Sequence, residues 1–261
     1  MLAVISPAKT LDLTSELPVD DTSYPQFLDK AARLAKAAAK LKPARIKQLM
    51  KISDALSELN AARFKAFVLP FTGDNARPAI RTFAGDVYIG FDAATLDQAG
   101  LEFAQSHVRI LSGLYGLLRP LDLMQPYRME MKTRFGVGKS RTLYEFWGGK
   151  IAQALADELR DHADTTLVNL ASNEYFAAVK TARLPGNVVT PSFQEWRGSS
   201  LKFNSFAAKR ARGSMARFIC DHRIDRPEGL RDFDRDGYRF EPALSGAGQL
   251  SFVRDAGGEM R

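Results

Sequence analysis

Bend-forming residues, apolar residues and charges are concentrated in one segment, Leu111-Ser-Gly-Leu-Tyr-Gly-Leu-Leu-Arg-Pro-Leu-Asp-Leu-Met-Gln-Pro-Tyr-Arg-Met-Glu-Met131. Its glycines permit positive φ or a close backbone approach, and its two prolines fix φ. Leucines between the bends give the segment an apolar surface. We therefore predict an irregular crossing that lies against the core.

The four charges in this segment leave two interpretations open. A charge beside apolar surface is usually paired, because desolvating it alone is unfavourable. Arg119, Asp122, Arg128 and Glu130 therefore either form ion pairs that fix the crossing or bring two arginines to the floor of an anion-binding cleft. We expect a mixture, in which Arg119 is structural and Arg128 faces the cleft.

Apolar and alternating runs on both sides of the crossing predict strands, and amphipathic spacing predicts the helices between them. Strands alternating with helices predict an α+β (mixed α/β) fold, one compact domain over residues 1–261 with a central mixed sheet, flanking helices and a basic cleft. Strands are expected at residues 2–5, 87–89, 108–111, 129–132, 165–170, 188–190, 192–196, 201–204, 238–240 and 250–253, the last two as edge strands. Helices are expected at residues 24–68 (several short ones), 143–159 and 205–222.

Two strand ends carry polar residues that suit an anion site. The loop Ser6-Pro-Ala-Lys-Thr10 leaves the first strand, and Ala171-Ser-Asn-Glu-Tyr-Phe176 leaves the 165–170 strand and opens a helix. Open α/β sheets place their sites at such ends. Two plainer interpretations stay open: Lys9 and Asp12 are solvated in a turn, and Ser172 caps a helix.

Basic residues surround the short helices of residues 36–68, namely Lys40, Lys42, Arg45, Lys47 and Lys51. This arrangement is similar to a helix-hairpin-helix unit, which holds DNA phosphates through turn N–H groups and helix N-termini. The apolar-Gly-apolar-Gly hairpin of such units is absent. A helical packing layer with a solvated basic face is the alternative.

The predicted helix at 205–222 has basic residues across the side opposite its apolar face. They are Lys209, Arg210, Arg212 and Arg217, and nearly all charges on that side have one sign. A face of one sign favours contact with phosphate over simple solvation. A third basic group, Arg128, Lys132 and Arg134, follows the central crossing.

Composition limits the classes of function. The chain has 261 residues and a formal net charge of +7, which makes an acidic partner plausible, nucleic acid first. One cysteine and three scattered histidines match no metal-ligand spacing, so we expect no metal site of that kind and no cofactor. Without an apolar run long enough to span a bilayer, the expected location is the cytoplasm, with no membrane partner.

The central segment resembles the signature of the YaaA family of bacterial peroxide-stress-resistance proteins. Further matches include Ser6-Pro-Ala-Lys-Thr-Leu-Asp12, Asn169-Leu-Ala-Ser172 and Ala208-Lys-Arg-Ala-Arg-Gly213, and they run in order through nearly the whole chain. The resemblance implies a cupped single-domain fold with a basic cleft, DNA binding and a role in peroxide stress. Restriction of free iron is the protection that it implies.

Two functions are therefore weighed. The first is a non-enzymatic, monomeric protein that binds duplex or distorted DNA by shape and charge, with Lys9, Thr10, Arg119, Arg128 and Ser172 as the anion cleft. The second is an enzyme acting on a nucleotide, a nucleobase or damaged DNA. Its candidate pocket residues are Lys9, Asp12, Asp122, Glu130 and Glu174.

Overall fold

The computed structural model describes residues 1–15 and 21–256. The strands and helices of these residues alternate along the chain, as the sequence predicts. The strands are β1 Leu2–Ile5, β2 Thr10–Leu11, β3 Arg77–Pro78, β4 Phe83–Ala84, β5 Val108–Ser112, β6 Gly116–Leu118, β7 Leu123–Met124, β8 Leu167–Leu170, β9 Val188–Arg197, β10 Ser200–Lys202, β11 Arg239–Phe240 and β12 Gln249–Asp255. The α-helices are α1 Leu28–Ala38, α2 Pro43–Met50, α3 Asp54–Ala66, α4 Ala79–Thr82, α5 Asp86–Phe91, α6 Gln98–His107, α7 Leu143–Trp147, α8 Lys150–Leu159, α9 Asn173–Phe176 and α10 Ser205–Asp221.

A mixed sheet forms the centre of the fold. Its order is β11-β12-β9-β8-β1-β5-β6, and β10 pairs with β9. The neighbours β1–β5, β1–β8, β8–β9 and β9–β12 are parallel, whereas β6, β10 and β11 are antiparallel to their partners. Every residue of β1, β5 and β8 is buried, as expected of parallel strands covered on both faces. The prediction of a mixed α/β fold is confirmed.

The order of strands creates a switch point at the centre of the sheet. From β1 the chain passes to β5 on one side, and it later returns to β8 on the other side of β1. The loops that leave β1 and β8 therefore diverge. In open α/β sheets this divergence opens a crevice at the carboxyl ends of the two strands.

The central crossing lies against the core as predicted. It forms the β5–β6 hairpin and β7, and its leucines are buried. Gly116 has φ 74°, and a Cβ there would lie 2.6 Å from the Trp147 ring. The Trp147 indole N–H donates to the Gly113 carbonyl over 3.0 Å. Only glycine allows this indole to pack directly on the hairpin.

Two strand predictions are wrong. Residues 87–89 lie in α5, because this segment packs against α10 with the two backbones in close contact. A Cβ on Gly213 of α10 would lie 2.7 Å from the carbonyl carbon of Val87. Residues 129–132 pair with no strand in the described chain, because the backbone of Met129 crosses directly over Gly113 of the hairpin.

Two element boundaries and the place of one strand in the sheet also differ from the prediction. The helix expected at 143–159 is two helices, α7 and α8, separated by Gly148 with φ 54°. The two strands expected at 188–196 are one continuous β9. β12 lies between β11 and β9, so it is not an edge strand, whereas β11 is.

The segment at 24–68 contains three helices, as predicted, and its basic part at 36–68 holds the end of α1 together with α2 and α3. α2 and α3 are joined by residues 51–53, where Lys51 takes a left-handed conformation and the Ser53 hydroxyl accepts from the Leu56 N–H over 3.3 Å. The side chains of Lys40, Lys42, Arg45, Lys47 and Lys51 are exposed. Whether this segment acts as a helix-hairpin-helix unit stays a prediction. Within the described ranges, no helix is both long and apolar enough to cross a membrane.

Candidate functional site

A cavity of about 600 Å³ opens at the carboxyl ends of β1 and β8, at the switch point of the sheet. We call it the strand-end pocket. Its walls come from the loop after β1, the turn into α5, the start of α9, and α10. The lining includes Ser6, Lys9, Thr10, Asp86, Tyr88, Glu130, Ser172, Glu174, Tyr175, Phe203, Lys209 and Arg212.

The floor of the strand-end pocket is a polar seam between the two diverging loops. The Ser172 N–H donates to the Ser6 hydroxyl oxygen over 2.9 Å, and the two hydroxyls lie 3.3 Å apart. The Tyr88 hydroxyl donates to the Ser6 carbonyl over 3.1 Å. These bonds hold the loop after β1 between α5 and the loop after β8, so the floor is fixed.

Two carboxylates in the pocket wall are each paired with a lysine. The Lys9 ammonium lies 2.7 Å from the Glu130 carboxylate, whose side chain is 8% exposed. Arg128 approaches the same carboxylate oxygen at 3.6 Å. The Lys132 ammonium lies 3.2 Å from Glu174, and this pairing raises the pKa of Lys132. Both carboxylates are thus held in place and carry a compensated charge.

Arg212 differs from these charges because no carboxylate of the described residues compensates it. Arg212 lines the pocket from α10, and its Nε is buried without a hydrogen-bond acceptor in the described structure. Burial lowers the pKa of Arg212, and no neighbouring acid opposes that effect. An arginine stays charged in proteins nevertheless. A partly buried, uncompensated guanidinium beside a cavity is suited to an anionic ligand.

Other residues that the sequence nominated lie elsewhere. Asp12 accepts from the N–H groups of Thr14 and Ser15 at 2.9 and 3.0 Å, and it is not part of the pocket lining. Hydrogen bonds from the Ser15 hydroxyl and N–H hold the pKa of Asp12 well below its usual range. The prediction that Asp12 shares one pocket with Lys9 and Glu130 is therefore wrong.

Arg119 and Asp122 form a separate structural pair outside the pocket. Asp122 is 1% exposed, and it accepts from the Arg119 N–H at 2.8 Å and from the Ser23 hydroxyl at 2.7 Å. The Arg119 guanidinium lies 3.1 Å from the same carboxylate. Burial raises the pKa of Asp122, and the hydrogen bonds of Arg119 and Ser23 oppose that rise. Arg119 thus fixes the crossing, and it does not line an anion cleft with Ser172.

Arg217 does not occupy the position expected of it. We predicted that it contacts phosphate from the outer face of α10, but its guanidinium is bound within the protein. Its guanidinium donates to the Thr95 carbonyl at 3.2 Å and to the Asp92 carbonyl at 2.6 Å, and it pairs with Asp221 at 2.8 Å. Arg217 therefore ties α10 to the end of α5. Of the other basic residues on α10, Lys209 and Arg212 line the strand-end pocket, and Arg210 lines a smaller neighbouring cavity.

The three basic residues that follow the crossing, Arg128, Lys132 and Arg134, differ in how they relate to the strand-end pocket. Arg128 contacts the Glu130 carboxylate and is not in the pocket lining, while Lys132 reaches the pocket only through Glu174. Lys132 and Arg134 are exposed. Arg128, which we expected to face the cleft, therefore meets the strand-end pocket only through its contact with Glu130.

Comparison with known proteins gives the family. The family model described as "Peroxide stress protein YaaA" matches residues 1–244 of this chain. The chain belongs to this peroxide-stress family. It is 49% identical to a "UPF0246 protein" of Hahella chejuensis over 255 residues, which is 98% of this chain and 100% of that one. It is 50% identical to a relative of the same description from Aliivibrio fischeri, covering 98% of both chains, and 49% identical to one from Janthinobacterium, covering 98% and 100%.

Sequence reasoning missed the aromatic and acidic residues that the turn into α5 and the adjoining loops bring to this family member's pocket. They are Asp86, Tyr88, Tyr175 and Phe203. Burial raises the pKa of Tyr88 and Tyr175 well above the usual value, so both hydroxyls stay protonated at neutral pH. Gly85, with φ 141°, was the available signal, because it marks a turn into a new element rather than a strand.

Across residues 1–15 and 21–256, no group of three or more His, Cys, Asp or Glu side chains is arranged to hold a metal ion. The iron connection that the family resemblance implies is therefore not assigned to a site in these ranges. The strand-end pocket is instead lined by hydroxyls, carboxylates and three cationic side chains, Lys9, Lys209 and Arg212.

Proposed function

We propose that this member of the peroxide-stress family binds DNA through phosphate contacts, with little readout of base sequence, and that the strand-end pocket receives part of the DNA backbone. The uncompensated Arg212 guanidinium is the observation that carries the proposal. A phosphate oxygen would give Arg212 the acceptor that the protein does not supply. Lys209, also in the lining, adds a second cation on the same helix.

The rest of the surface supports the same proposal. The net charge of +7 attracts nucleic acid, and phosphate contacts require only accessible cations rather than a base-reading helix. Exposed basic side chains occur at the helix joins and after the crossing. They are Lys40, Lys42, Arg45, Lys47, Lys51, Lys132 and Arg134.

DNA binding of this kind offers a route to peroxide protection. A protein that covers damaged or distorted DNA needs only shape and charge recognition. We propose that the chain acts as a cytoplasmic monomer on duplex or distorted DNA, and that its effect on iron-driven damage is indirect. This proposal requires no cofactor.

Replacing Arg212 tests the proposal, because its loss leaves no carboxylate unpaired. Arg212→Met keeps the aliphatic stem, so its melting temperature should equal or exceed that of wild type. Its affinity for a short duplex, measured by fluorescence anisotropy at low salt, should fall. Arg33→Met, at an exposed position on α1, is the matched control and should bind as wild type does. Absence of wild-type binding at low salt would refute the proposal.

A second function is favoured by the two fixed carboxylates. Glu130 and Glu174 line one pocket with Lys9 and Ser172, so several groups that can donate or accept a proton are gathered around one cavity. Incubation of wild type and Glu174→Gln with DNA and with mononucleotides, followed by mass analysis, tests it. Conversion by wild type alone would establish an enzyme, and unchanged substrates in both would leave DNA binding as the function.

A further inference from the structure

The most exposed apolar side chains of the described residues gather beside the strand-end pocket. Phe206, Phe203 and Ile89 are 71%, 61% and 59% exposed, more than any other large apolar residue in those ranges. Phe203 lines the strand-end pocket, while Ile89 and Phe206 line the neighbouring cavity of about 180 Å³. Exposed apolar side chains that cluster mark an interaction site more often than scattered ones do.

The two phenylalanines are held on a fixed support. Asn204 stands between them and caps α10, accepting from the N–H groups of Phe206 and Ala207 at 3.2 and 3.4 Å. Its amide donates to Glu195 over 3.1 Å. Glu195 is in turn bound by Arg254, and both side chains are buried. Phe203 and Phe206 are therefore exposed on a turn that these contacts hold in place.

Cations surround these rings on the pocket side. The Lys209 ammonium lies 5.5 Å from the centre of the Phe206 ring, and Lys209 and Arg212 line the same pocket as Phe203. An apolar peptide would leave Arg212 without an anion. A planar, anionic ligand satisfies both features, since its flat face covers an aromatic ring and its charge reaches the guanidinium.

We propose that Phe203 stacks on the base of one unpaired nucleotide whose phosphate binds Arg212 and Lys209. The pocket wall behind them carries acceptors, Glu130, Glu174 and Asp86, which suit the amino and imino N–H groups of a base. Phe206 is placed for the base of the next nucleotide. The ligand chemistry is a nucleoside monophosphate unit, either extrahelical in DNA or free in solution.

Only an unpaired nucleotide fits this description, because a base inside a duplex has both faces covered by its neighbours. An extrahelical base costs least to present where the strand is already bulged or damaged. The inference rests on the proposed DNA binding and deepens it. It predicts a preference for distorted DNA that phosphate contacts alone do not produce.

The test compares four probes: a matched duplex, the same duplex with a one-nucleotide bulge, the matching single strand, and free AMP. Wild type should bind the bulged duplex about tenfold more tightly than the matched one, the effect of one stacked base. Phe203→Ala should remove this preference, so that the bulged and matched duplexes bind with equal affinity. Phe203→Trp should preserve it. Leu244→Ala, at another exposed apolar site, is the control and should not alter the preference.

The outcomes separate this inference from the proposed function. A preference for the bulge that depends on Phe203 supports the inference with DNA as the source of the nucleotide. Binding of AMP that depends on Phe203 and Arg212, without a bulge preference, supports a free nucleotide. Equal affinity for bulged and matched duplexes, with no AMP binding, overturns the inference while DNA binding stands. Failure to bind any DNA refutes the proposed function. In that case AMP binding that depends on Phe203 and Arg212 still supports a nucleotide site in the pocket, and no AMP binding overturns it.

Discussion

Gly213→Ala gives a stringent test of how the pocket wall is built. Gly213 of α10 faces α5, and a Cβ at this position would overlap the Val87 carbonyl oxygen, besides lying 2.7 Å from the Val87 carbonyl carbon and 2.8 Å from the Phe91 nitrogen. Restoring an ordinary contact of 3.4 Å with that carbonyl carbon requires a shift of about 0.7 Å, and relieving the overlap with the closer oxygen requires a larger one. The obstructing atoms are backbone, so no side chain can rotate away.

The magnitude follows from two opposed effects. Overpacking against rigid atoms costs at least about 3 kcal/mol here, because the overlap is with backbone and is severe. Alanine is the better helix former by about 1 kcal/mol. The expected net loss is at least about 2 kcal/mol, which lowers the melting temperature of a chain of this size by at least about 4 °C.

The assay is thermal unfolding followed by circular dichroism, with DNA affinity measured well below the melting temperature. Gly73→Ala is the control, since a Cβ there meets nothing within 4 Å. The variant should also bind DNA more weakly, because separating the helices moves Arg212 away from the α5 wall. A melting temperature at or above wild type would refute the account of the α5–α10 contact.

Three further predictions concern stability. Glu195→Gln leaves the buried Arg254 without a carboxylate and should cost about 3–5 kcal/mol in chemical denaturation. Arg119→Ala removes charged hydrogen bonds from buried Asp122 and should cost about 1.5–3 kcal/mol, more than Arg128→Ala, which leaves Lys9 on Glu130. Burial lowers the pKa of His162 to about 4, so the unfolded chain binds a proton before the folded one as pH falls from 6.5 to 4, and stability is lost in that range. His162→Asn should flatten the melting temperature against pH there, and an unchanged profile would contradict this.

The elements that the sequence predicted well are those decided by local pattern. β1, β5 and β8 are short, mainly apolar runs whose residues are all buried, and α10 has a long helical repeat. The rule that open sheets bind ligands at strand ends also led to Ser6, Lys9 and Ser172, which do line the strand-end pocket.

The errors arose where distant contacts outweigh local pattern. Val87-Tyr-Ile89 is compatible with a strand, and its helical form depends on glycine contacts with α10, more than a hundred residues later. A helical wheel places Arg212 and Arg217 on an outer face, but α10 also contacts α6 and the sheet. One arginine is therefore directed into the pocket and the other is bound to the loop after α5. The sequence of α10 alone does not show that these two arginines have different surroundings.

Binding of a short duplex by the wild-type chain across a salt series tests the central claim most directly. With six or so phosphate contacts, affinity should fall about a thousandfold between about 50 and 200 mM salt. In Arg212→Met the slope of log affinity against log salt should be shallower by about one. An affinity that does not change with salt, or a slope that Arg212→Met leaves unchanged, would contradict DNA binding through the strand-end pocket.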